Sequence, residues 1–423
     1  MKWILFVYGA LAIHFLGIAQ NQTYDEVLAK EIIANSIENT SSAQEKPYVI
    51  MVSLDGFRYD YAEKHNASNI LKMAQQGSSV QRLLPSFPSK TFPNHYTLAT
   101  GLYPQHHGIV ANSFIDTKTK KKYSIGNRNA VEDGSWYGGL PLWNLAQLQG
   151  MVAASFFWVG SEANVNGLHP KYYYQYDKKL PYDLRVKRVL DWLKLPESQR
   201  PHMITLYFSL VDTQGHRFGP NGKETKEAVQ YVDEQIGALR GGIAASGLPV
   251  YLIVTSDHGM AEIKNLINVK DYIDVPKDQF FGGPVGMIYT KSEEEKQRYL
   301  TKLNAQKGFL TYEREAVPVY LNFNKNSRIG DLVLIAEPPY TFTHTESNKR
   351  EFDRIEGTHG FDPFVIKEMG GILYVEGPRI RKNTTLAPVE NIHIYPLVAE
   401  LLGLKMLMPV DGKLEVLEPM LID

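Results

Sequence analysis

The stretch PYVIMVSLDG, residues 47–56, decides the fold. It is an unbroken apolar run that ends in Asp-Gly, which is typical of a strand buried on both faces of a parallel sheet. The same pattern recurs at residues 202–212, 248–259 and 370–377: HMITLYFSLVD, LPVYLIVTSDHG and GGILYVEG. Segments of helical period lie between these runs. Strands that alternate with helices predict a doubly wound, mostly parallel α/β sheet.

One of the intervening segments, residues 225–242, has a clear helical period. Four apolar side chains fall on one face of the predicted helix, namely Val229, Val232, Ile236 and Leu239. Gly241 predicts the end of this helix, because glycine commonly terminates helices.

The chain divides into a leader, a linker and one large domain. Lys2, an apolar run and small residues before Gln20 predict a signal peptide over residues 1–19. Residues 20–46 are polar and predict a linker with at most one short helix. The catalytic domain is expected at 47–423, with an inserted α+β subdomain at about 276–350. The protein is therefore expected to be exported, periplasmic or secreted, without a membrane span once the leader is cleaved.

Composition narrows the classes of ligand. The formal net charge is −1, so nothing draws the whole molecule to nucleic acid or anionic membranes, and a small-molecule partner is expected rather than a stable nucleic-acid complex. The chain has no cysteine, which excludes disulfides, thiol nucleophiles and thiolate metal sites. Any metal must be held by Asp, Glu and His.

Acidic and histidine residues follow the predicted strands. Ligands of open α/β sheets bind outside the carboxyl ends of the strands, so these side chains have a reason to converge. Together they form a ligand set suited to zinc or another divalent transition metal. Two divalent cations and three carboxylates leave a net charge of about +1, which favours an anionic phosphoryl group. The residues are Asp55, Asp212, His216, Asp257, His258 and, in EGTHGFDP, His359.

Thr91, in PSKTFPNHYTLATG at residues 88–101, has two interpretations. It lies where a strand would pass into a helix, and threonine commonly caps a helix start. Alternatively its hydroxyl is a nucleophile, because a helix N-terminus stabilises negative charge and a zinc-bound hydroxyl deprotonates near neutral pH. Local sequence leaves both interpretations open.

These motifs resemble a known family. PSKTFPNHYTLATGLYPQHHGI, SLDGFR, DTQGH, SDHGM and GTHG are similar to the nucleotide pyrophosphatase/phosphodiesterase family of the alkaline phosphatase superfamily, from about residue 47 to 405. The chain looks like the compact bacterial exported forms. The resemblance implies an alkaline phosphatase type fold and hydrolysis of phosphodiester or phosphoanhydride bonds, with a nucleotide or dinucleotide as substrate and a nucleoside monophosphate as product.

The resemblance also implies a site with two Zn²⁺ per chain. Asp212, His216 and His359 would hold one ion, and Asp55, Thr91, Asp257 and His258 the other. Thr91 would be the nucleophile and form a phosphothreonine that a zinc-bound water hydrolyses. Asn112 would donate to a phosphoryl oxygen, aided by the amide region of Thr91 or Phe92.

Aromatic residues match the family's base-binding positions. Phe92 follows the nucleophile, and Tyr207 precedes Asp212 by five residues. Tyr173 is the best match within PKYYYQYD, although its neighbouring tyrosines leave the register open. Lys90 is expected either to meet substrate phosphates or to be solvated, and Glu162 matches an acidic position near the base.

Other functions remain open. The same scaffold supports a phosphomonoesterase, for which Arg58 and Lys90 are the available cations, or a choline-type lipid-headgroup phosphodiesterase, for which the tyrosines offer a cage. A catalytically inactive, metal-stabilised binding protein is a further alternative. The oligomeric state is not predicted.

Overall fold

A nine-stranded sheet forms the centre of the computed structural model, which describes residues 23–344 and 355–422. The predicted signal peptide lies outside the described residues. The strands follow one another across the sheet in the order Ile32–Ile33, Tyr172–Tyr173, Ala153–Phe156, Met203–Phe208, Tyr48–Leu54, Val250–Thr255, Leu373–Glu376, Ser78–Val80 and Thr384–Leu386.

The sheet is mostly parallel, as predicted. Two strands run against the rest: Ile32–Ile33 at one edge, and Leu373–Glu376, which pairs antiparallel with Val250–Thr255. The apolar run GGILYVEG predicts a parallel strand like the others, and this direction is wrong. A strand that is buried on two faces has such a run whether it is parallel or antiparallel.

The strand Tyr48–Leu54 is buried along its whole length. Val49 and Met51 belong to the core on one face of the sheet, and Ile50 and Val52 to the core on the other. The helices that flank the strands are Tyr24–Ala29, Ser41–Gln44, Tyr61–Lys64, Ser68–Gln76, Thr91–Thr100, Pro104–His107, Arg128–Glu132, Leu142–Gln147, Tyr182–Trp192, Leu210–Phe218, Lys223–Ser246, Glu293–Asn304 and Ile394–Leu402.

The helix Lys223–Ser246 buries the four predicted apolar positions. The predicted stop at Gly241 is wrong, since the helix continues to Ser246 and ends at Gly247 in a left-handed conformation. A glycine inside a helix costs about 1 kcal/mol relative to alanine, which does not end a helix that is packed along its length.

Within the segment predicted as an insertion, a second sheet and one helix, Glu293–Asn304, pack on a separate apolar core that also includes side chains from residues 261–275 and Phe361. The sheet is antiparallel, with strand order Phe280–Phe281, Val285–Ile288, Leu332–Ala336 and Phe309–Glu313. Further short strands pair two by two outside these sheets: Ser113–Ile115 with Lys122–Ser124, Ala261–Glu262 with Gly357–Thr358, Asn265–Asn268 with Tyr340–Thr343, and Leu83–Leu84 with Val389–Glu390.

Residues 23–46 are more ordered than the predicted linker. They form two short helices and the edge strand Ile32–Ile33, which pairs with Tyr172–Tyr173. Asn39 is buried and its side chain donates to the carbonyls of Glu197 and Arg200, both at 2.7 Å, and accepts from the Val152 amide at 2.6 Å. This segment is therefore tied to two others, around residues 197–200 and at Val152, by one amide side chain.

We expect Asn39→Ala to lower the free energy of unfolding by about 2–3 kcal/mol, because it leaves buried backbone groups without a partner. Urea denaturation measures this difference. The neighbouring exposed Glu38→Ala is the control and should stay within about 0.5 kcal/mol of wild type. An equally small effect of Asn39→Ala would mean that residues 23–46 contribute little to stability.

Candidate active site

Three adjacent strands bring the predicted metal ligands together. Tyr48–Leu54 lies between Met203–Phe208 and Val250–Thr255, and all three are parallel. Their carboxyl ends therefore meet at one edge of the sheet, where ligands bind in open α/β folds. The residues that follow these ends are Asp55, Asp212, His216, Asp257 and His258.

Gly56 lets two of these segments touch. Its φ is +69°, and a Cβ at this position would lie 2.8 Å from the Asp212 Cα. The Asp212 amide donates to the Asp55 carbonyl at 3.0 Å, and the Gly56 amide donates to Asp257 Oδ1 at 3.1 Å. Only glycine combines this left-handed backbone with so close an approach.

The ligands form two groups. Asp212, His216 and His359 offer ligand atoms that all lie within 4.8 Å of one another, and so do Asp55, Asp257 and His258. In the first group Asp212 Oδ1 lies 3.3 Å from His216 Nε2 and 3.5 Å from His359 Nε2. In the second, His258 Nε2 lies 2.9 Å from Asp257 Oδ2 and 3.5 Å from Asp55 Oδ1.

The two groups are neighbours. The rings of His258 and His359, one from each group, stack with centroids 3.5 Å apart and planes inclined by 14°. Sequence-distant residues 258 and 359 thus meet at one site. The pattern of ligands is that of two adjacent cation sites.

The three histidines of the ligand groups present the same ring nitrogen, Nε2, to the carboxylates. Each Nδ1 donates to a backbone carbonyl, which fixes the ring and leaves the lone pair of Nε2 facing the carboxylates. The three bonds are His216 to Gly357 at 2.8 Å, His258 to Gly259 at 2.9 Å and His359 to Ser89 at 2.8 Å.

Three buried carboxylate oxygens accept no hydrogen bond: Asp55 Oδ1, Asp212 Oδ1 and Asp257 Oδ2. Burial, and then the negative charges of Asp257 and Asp212, raise the pKa of Asp55 well above its usual range. Clustered carboxylates with free lone pairs, opposite the Nε2 atoms of three histidines, are a donor set that fits divalent zinc-like cations. The residues therefore fit the metals that the sequence predicted.

Thr91 is the first residue of the helix Thr91–Thr100, and Lys90 occupies the N-cap position without a side-chain capping bond. The Thr91 hydroxyl instead lies 3.2 Å from His258 Nε2. The capping interpretation of Thr91 is therefore wrong. Its hydroxyl is directed at the second group of ligands, at a helix N-terminus that favours negative charge.

Asn112 is fixed beside this hydroxyl by the next residue in the helix. The Phe92 amide donates to Asn112 Oδ1 at 3.0 Å. This bond leaves the Asn112 amino group as the free donor of that side chain, and it uses the Phe92 amide that was expected to help hold a phosphoryl oxygen.

Lys90 and Asn112 line one cavity of about 310 Å³ together with Phe281 from the second sheet. Burial lowers the pKa of Lys90 to about 8, although the charge of Asp212 opposes this. Of the two expectations for Lys90, contact with an anion fits this position better than full solvation.

The tyrosine cluster separates into two faces. Tyr172 and Tyr174 are buried in the core on one side of the sheet, where Tyr174 stacks on Phe156 with centroids 4.1 Å apart. Tyr173 stacks on His169, with ring centroids 5.1 Å apart. Burial, and to a lesser extent the nearby negative charge of Glu162, raise the pKa of Tyr173. Tyr173 is buried as well, with 8% of its surface exposed, whereas Tyr176 is 41% exposed and is the member of the cluster that is open to a ligand.

Tyr207 is closer to the metal ligands than the sequence indicated. Its hydroxyl donates to Asp55 Oδ2 at 2.5 Å, and its ring lies 6.0 Å from that of Tyr176. Phe92, the other predicted aromatic contact, is partly exposed and lies 6.4 Å from Tyr123, measured between ring centroids.

Two charged candidates have partners within the described residues. The Glu162 carboxylate is buried and pairs with Arg128, a residue that the sequence prediction missed. Arg58 donates to both carboxylate oxygens of Asp60, at 2.6 and 2.9 Å, and to the Met260 carbonyl at 3.2 Å. The Arg58 guanidinium therefore already has protein partners, which weakens the case for a phosphomonoesterase that would use Arg58 to bind the extra phosphate charge.

His95 is a second residue that the sequence prediction missed. It is fully buried and lies 3.3 Å from Asp257 Oδ2, measured from Nδ1. Its spacing was an available signal, because residues four apart share a helical face and Thr91 is four residues before it.

Comparisons with known proteins agree with this geometry. Residues 49–362 match the family model described as type I phosphodiesterase/nucleotide pyrophosphatase. A venom phosphodiesterase of Crotalus durissus collilineatus is 35% identical over 384 residues, covering 87% of this chain and 46% of the relative. Human ectonucleotide pyrophosphatase/phosphodiesterase family member 1 is 33% identical over 378 residues, covering 85% and 40%. The chain thus spans less than half the length of these curated relatives.

Solved structures extend the match to the fold. Human ectonucleotide pyrophosphatase/phosphodiesterase 5 has a TM-score of 0.83 at 28% identity, covering 89% of this chain and 100% of the neighbour. An inactive threonine-to-alanine variant of the murine protein, in complex with AMP, has a TM-score of 0.82 at 28% identity with the same coverage. The central sheet and its helices thus form the alkaline phosphatase type fold that was expected.

Proposed function

The chain belongs to the type I phosphodiesterase/nucleotide pyrophosphatase family, and we propose that it hydrolyses phosphodiester or phosphoanhydride bonds of nucleotides and releases nucleoside monophosphates. The observation that carries this proposal is the Thr91 hydroxyl, 3.2 Å from His258 Nε2, beside two groups of Asp and His side chains.

Two zinc ions are the cofactors that the donor set supports best. Asp212, His216 and His359 would hold one ion, and Asp55, Thr91, Asp257 and His258 the other. The three free carboxylate oxygens and the Nε2 atoms that face them support this assignment. When bound, the pair supplies positive charge that favours ionisation of the nucleophile and neutralises the phosphoryl oxygens.

Thr91 acts as the nucleophile. Its Oγ forms a bond to phosphorus while the bond from phosphorus to the leaving oxygen breaks, and the hydroxyl proton passes to solvent. Water then attacks the phosphothreonine, the bond between Oγ and phosphorus breaks, and Thr91 recovers a proton. The inactive threonine-to-alanine variant of the murine neighbour supports this role.

Asn112 and Lys90 hold the phosphoryl group. The Asn112 carbonyl oxygen is already bound to the Phe92 amide, so its amino group is oriented to donate. Lys90 lines the same cavity and offers positive charge to the phosphates below about pH 8, where its ammonium form predominates.

Phe92, Tyr173 and Tyr207 contact the nucleoside, with Glu162 at its edge. The complex of the murine neighbour with AMP supports a nucleoside site in this fold. Stacking of a base on an aromatic ring contributes about 1–3 kcal/mol and tolerates any base, so broad nucleotide use follows. Tyr207 has a double role, since its hydroxyl also orients Asp55.

We also propose that the protein is exported and acts on a small nucleotide or dinucleotide substrate. The names of the relatives describe a venom enzyme and an ectoenzyme, which supports export. Over residues 23–344 and 355–422, no helix has both the length and the apolar character needed to cross a membrane.

Three chromogenic substrates test the proposal directly. We expect p-nitrophenyl-TMP to be hydrolysed fastest, because it fills the aromatic site, and bis-p-nitrophenyl phosphate faster than p-nitrophenyl phosphate. The measurement is kcat/KM for each substrate with zinc present. Faster hydrolysis of the monoester than of both diesters would contradict the proposal, and the absence of any turnover would favour a binding protein.

A further inference from the structure

His95 connects the nucleophile to one of the metal-ligand candidates. It lies four residues after Thr91 in the helix Thr91–Thr100, and helical side chains tilt toward the N-terminus, so its imidazole covers the first turn. Nδ1 lies 2.9 Å from the Thr91 carbonyl oxygen and 3.3 Å from Asp257 Oδ2. One ring atom thus faces both the turn that carries the nucleophile and a carboxylate of the site.

The neighbours of the ring define its tautomer. A carbonyl and a carboxylate only accept hydrogen bonds, so Nδ1 carries the proton and donates. Nε2 lies 2.8 Å from Ser53 Oγ, and the Ser53 hydroxyl can donate to it. His95 therefore donates from Nδ1 to the Thr91 carbonyl, and the same nitrogen lies 3.3 Å from Asp257 Oδ2.

The ring has no room to turn. It is fully buried, and the Trp158 and Tyr207 rings meet it edge-on, with centroids 5.3 and 5.1 Å away. Trp158 Nε1 also donates to the His95 carbonyl at 2.9 Å. Tyr207 in turn donates to Asp55. His95 and Tyr207, whose rings pack against each other, therefore lie against both carboxylates of the second ligand group, Asp257 and Asp55.

We propose that His95 is a positioning residue whose Nδ1–H holds the turn of Thr91 and the Asp257 carboxylate in register. The inference rests on the proposed function, in which Thr91 is the nucleophile and Asp257 a metal ligand. It gives His95 a role in the site beyond that of filling the core.

Two substitutions separate positioning from packing. Asparagine places its amide N–H near the position of Nδ1, whereas glutamine places its amide near that of Nε2 and loses the donor to Thr91 and Asp257. Glutamine, however, is closer to histidine in volume. If His95 only fills space, His95→Asn leaves the larger cavity and is the worse variant. If His95 positions the site, His95→Gln is worse.

We expect His95→Gln to lower kcat and zinc affinity by about 10- to 100-fold, with little change in KM, as is common when a side chain that orients a metal ligand is removed. His95→Asn should recover most of both quantities. His107→Asn is the matched control: it removes another buried histidine, bonded to Thr97 in the same helix, and should leave kcat and zinc affinity unchanged at temperatures where it is folded.

Zinc affinity is measured by competition with a chelator, kcat and KM with p-nitrophenyl-TMP, and folding by circular dichroism. A greater loss for His95→Asn than for His95→Gln, or unchanged kcat and zinc affinity in a folded His95→Gln variant, would overturn the proposal. The affinity measurement does not require turnover. Failure of the proposed function would instead appear as wild-type protein that binds zinc and hydrolyses no diester.

Discussion

Replacing Thr91 with alanine is expected to lower kcat for p-nitrophenyl-TMP by at least about 10⁴-fold, because it removes the hydroxyl that is proposed to form the covalent intermediate. The substitution removes one hydroxyl and one methyl group from the first turn of a helix whose packing lies mostly in later residues, among them Leu98 and Ala99. Stability should therefore change little. The expected fall in kcat would therefore reflect the loss of the nucleophile and not unfolding of the protein.

The control is Thr91→Ser, which keeps a hydroxyl at the same position and should retain measurable turnover. Zinc content per chain is determined for both variants, since Asp55, Asp257 and His258 remain. Acid quenching of wild type during turnover of p-nitrophenyl-TMP, followed by mass spectrometry, should find a thymidylyl group, that is TMP joined through its phosphorus, on the Thr91 oxygen. An alanine variant within tenfold of wild type would exclude Thr91 as the nucleophile.

Removal of metal should abolish turnover and destabilise the protein. The carboxylates of Asp55, Asp212 and Asp257, the first and last of them buried, repel one another when no cation lies between them. A ligand that binds only the folded state stabilises it by about 4 kcal/mol at a free concentration 1,000 times its Kd, so zinc should raise Tm by several degrees. Because the ligands must be deprotonated to bind, this rise should shrink as the pH falls.

Calorimetry of chelated and zinc-loaded protein measures the effect. Asp212→Ala should reduce the zinc-dependent rise in Tm, whereas Asp191→Asn, which alters an acidic residue paired with Lys187 and Lys194 at the surface, should leave it intact. Full turnover in excess chelator, with an unchanged Tm, would contradict a metal-dependent mechanism.

The arrangement of metal ligands was predictable because it follows from strand order. Asp55 and Asp257 each follow a fully buried apolar run, and parallel neighbours end at the same edge. His359 was recognised only through its motif. Nothing in its local pattern specifies that its ring stacks on that of His258, since this contact depends on a long intervening segment.

Features that depend on tertiary partners were not predictable. Ile32–Ile33 is two residues long and has no period to detect, so its pairing is decided by the exposed edge of its partner strand. Arg128 pairs with Glu162 across 34 positions. His95 acquires its contacts from four other segments, through Ser53, Trp158, Tyr207 and Asp257. Local sequence contains the residue types but not these distances.

The edge strand Ile32–Ile33 has a practical consequence for protein handling. A fragment that begins at residue 47, the start of the predicted domain, would lack this strand and leave the backbone of Tyr172–Tyr173 open to solvent. An unpaired sheet edge is a template for self-association between chains. Proteolysis after residue 33 should likewise convert a well-behaved preparation into one that aggregates through the exposed edge of Tyr172–Tyr173.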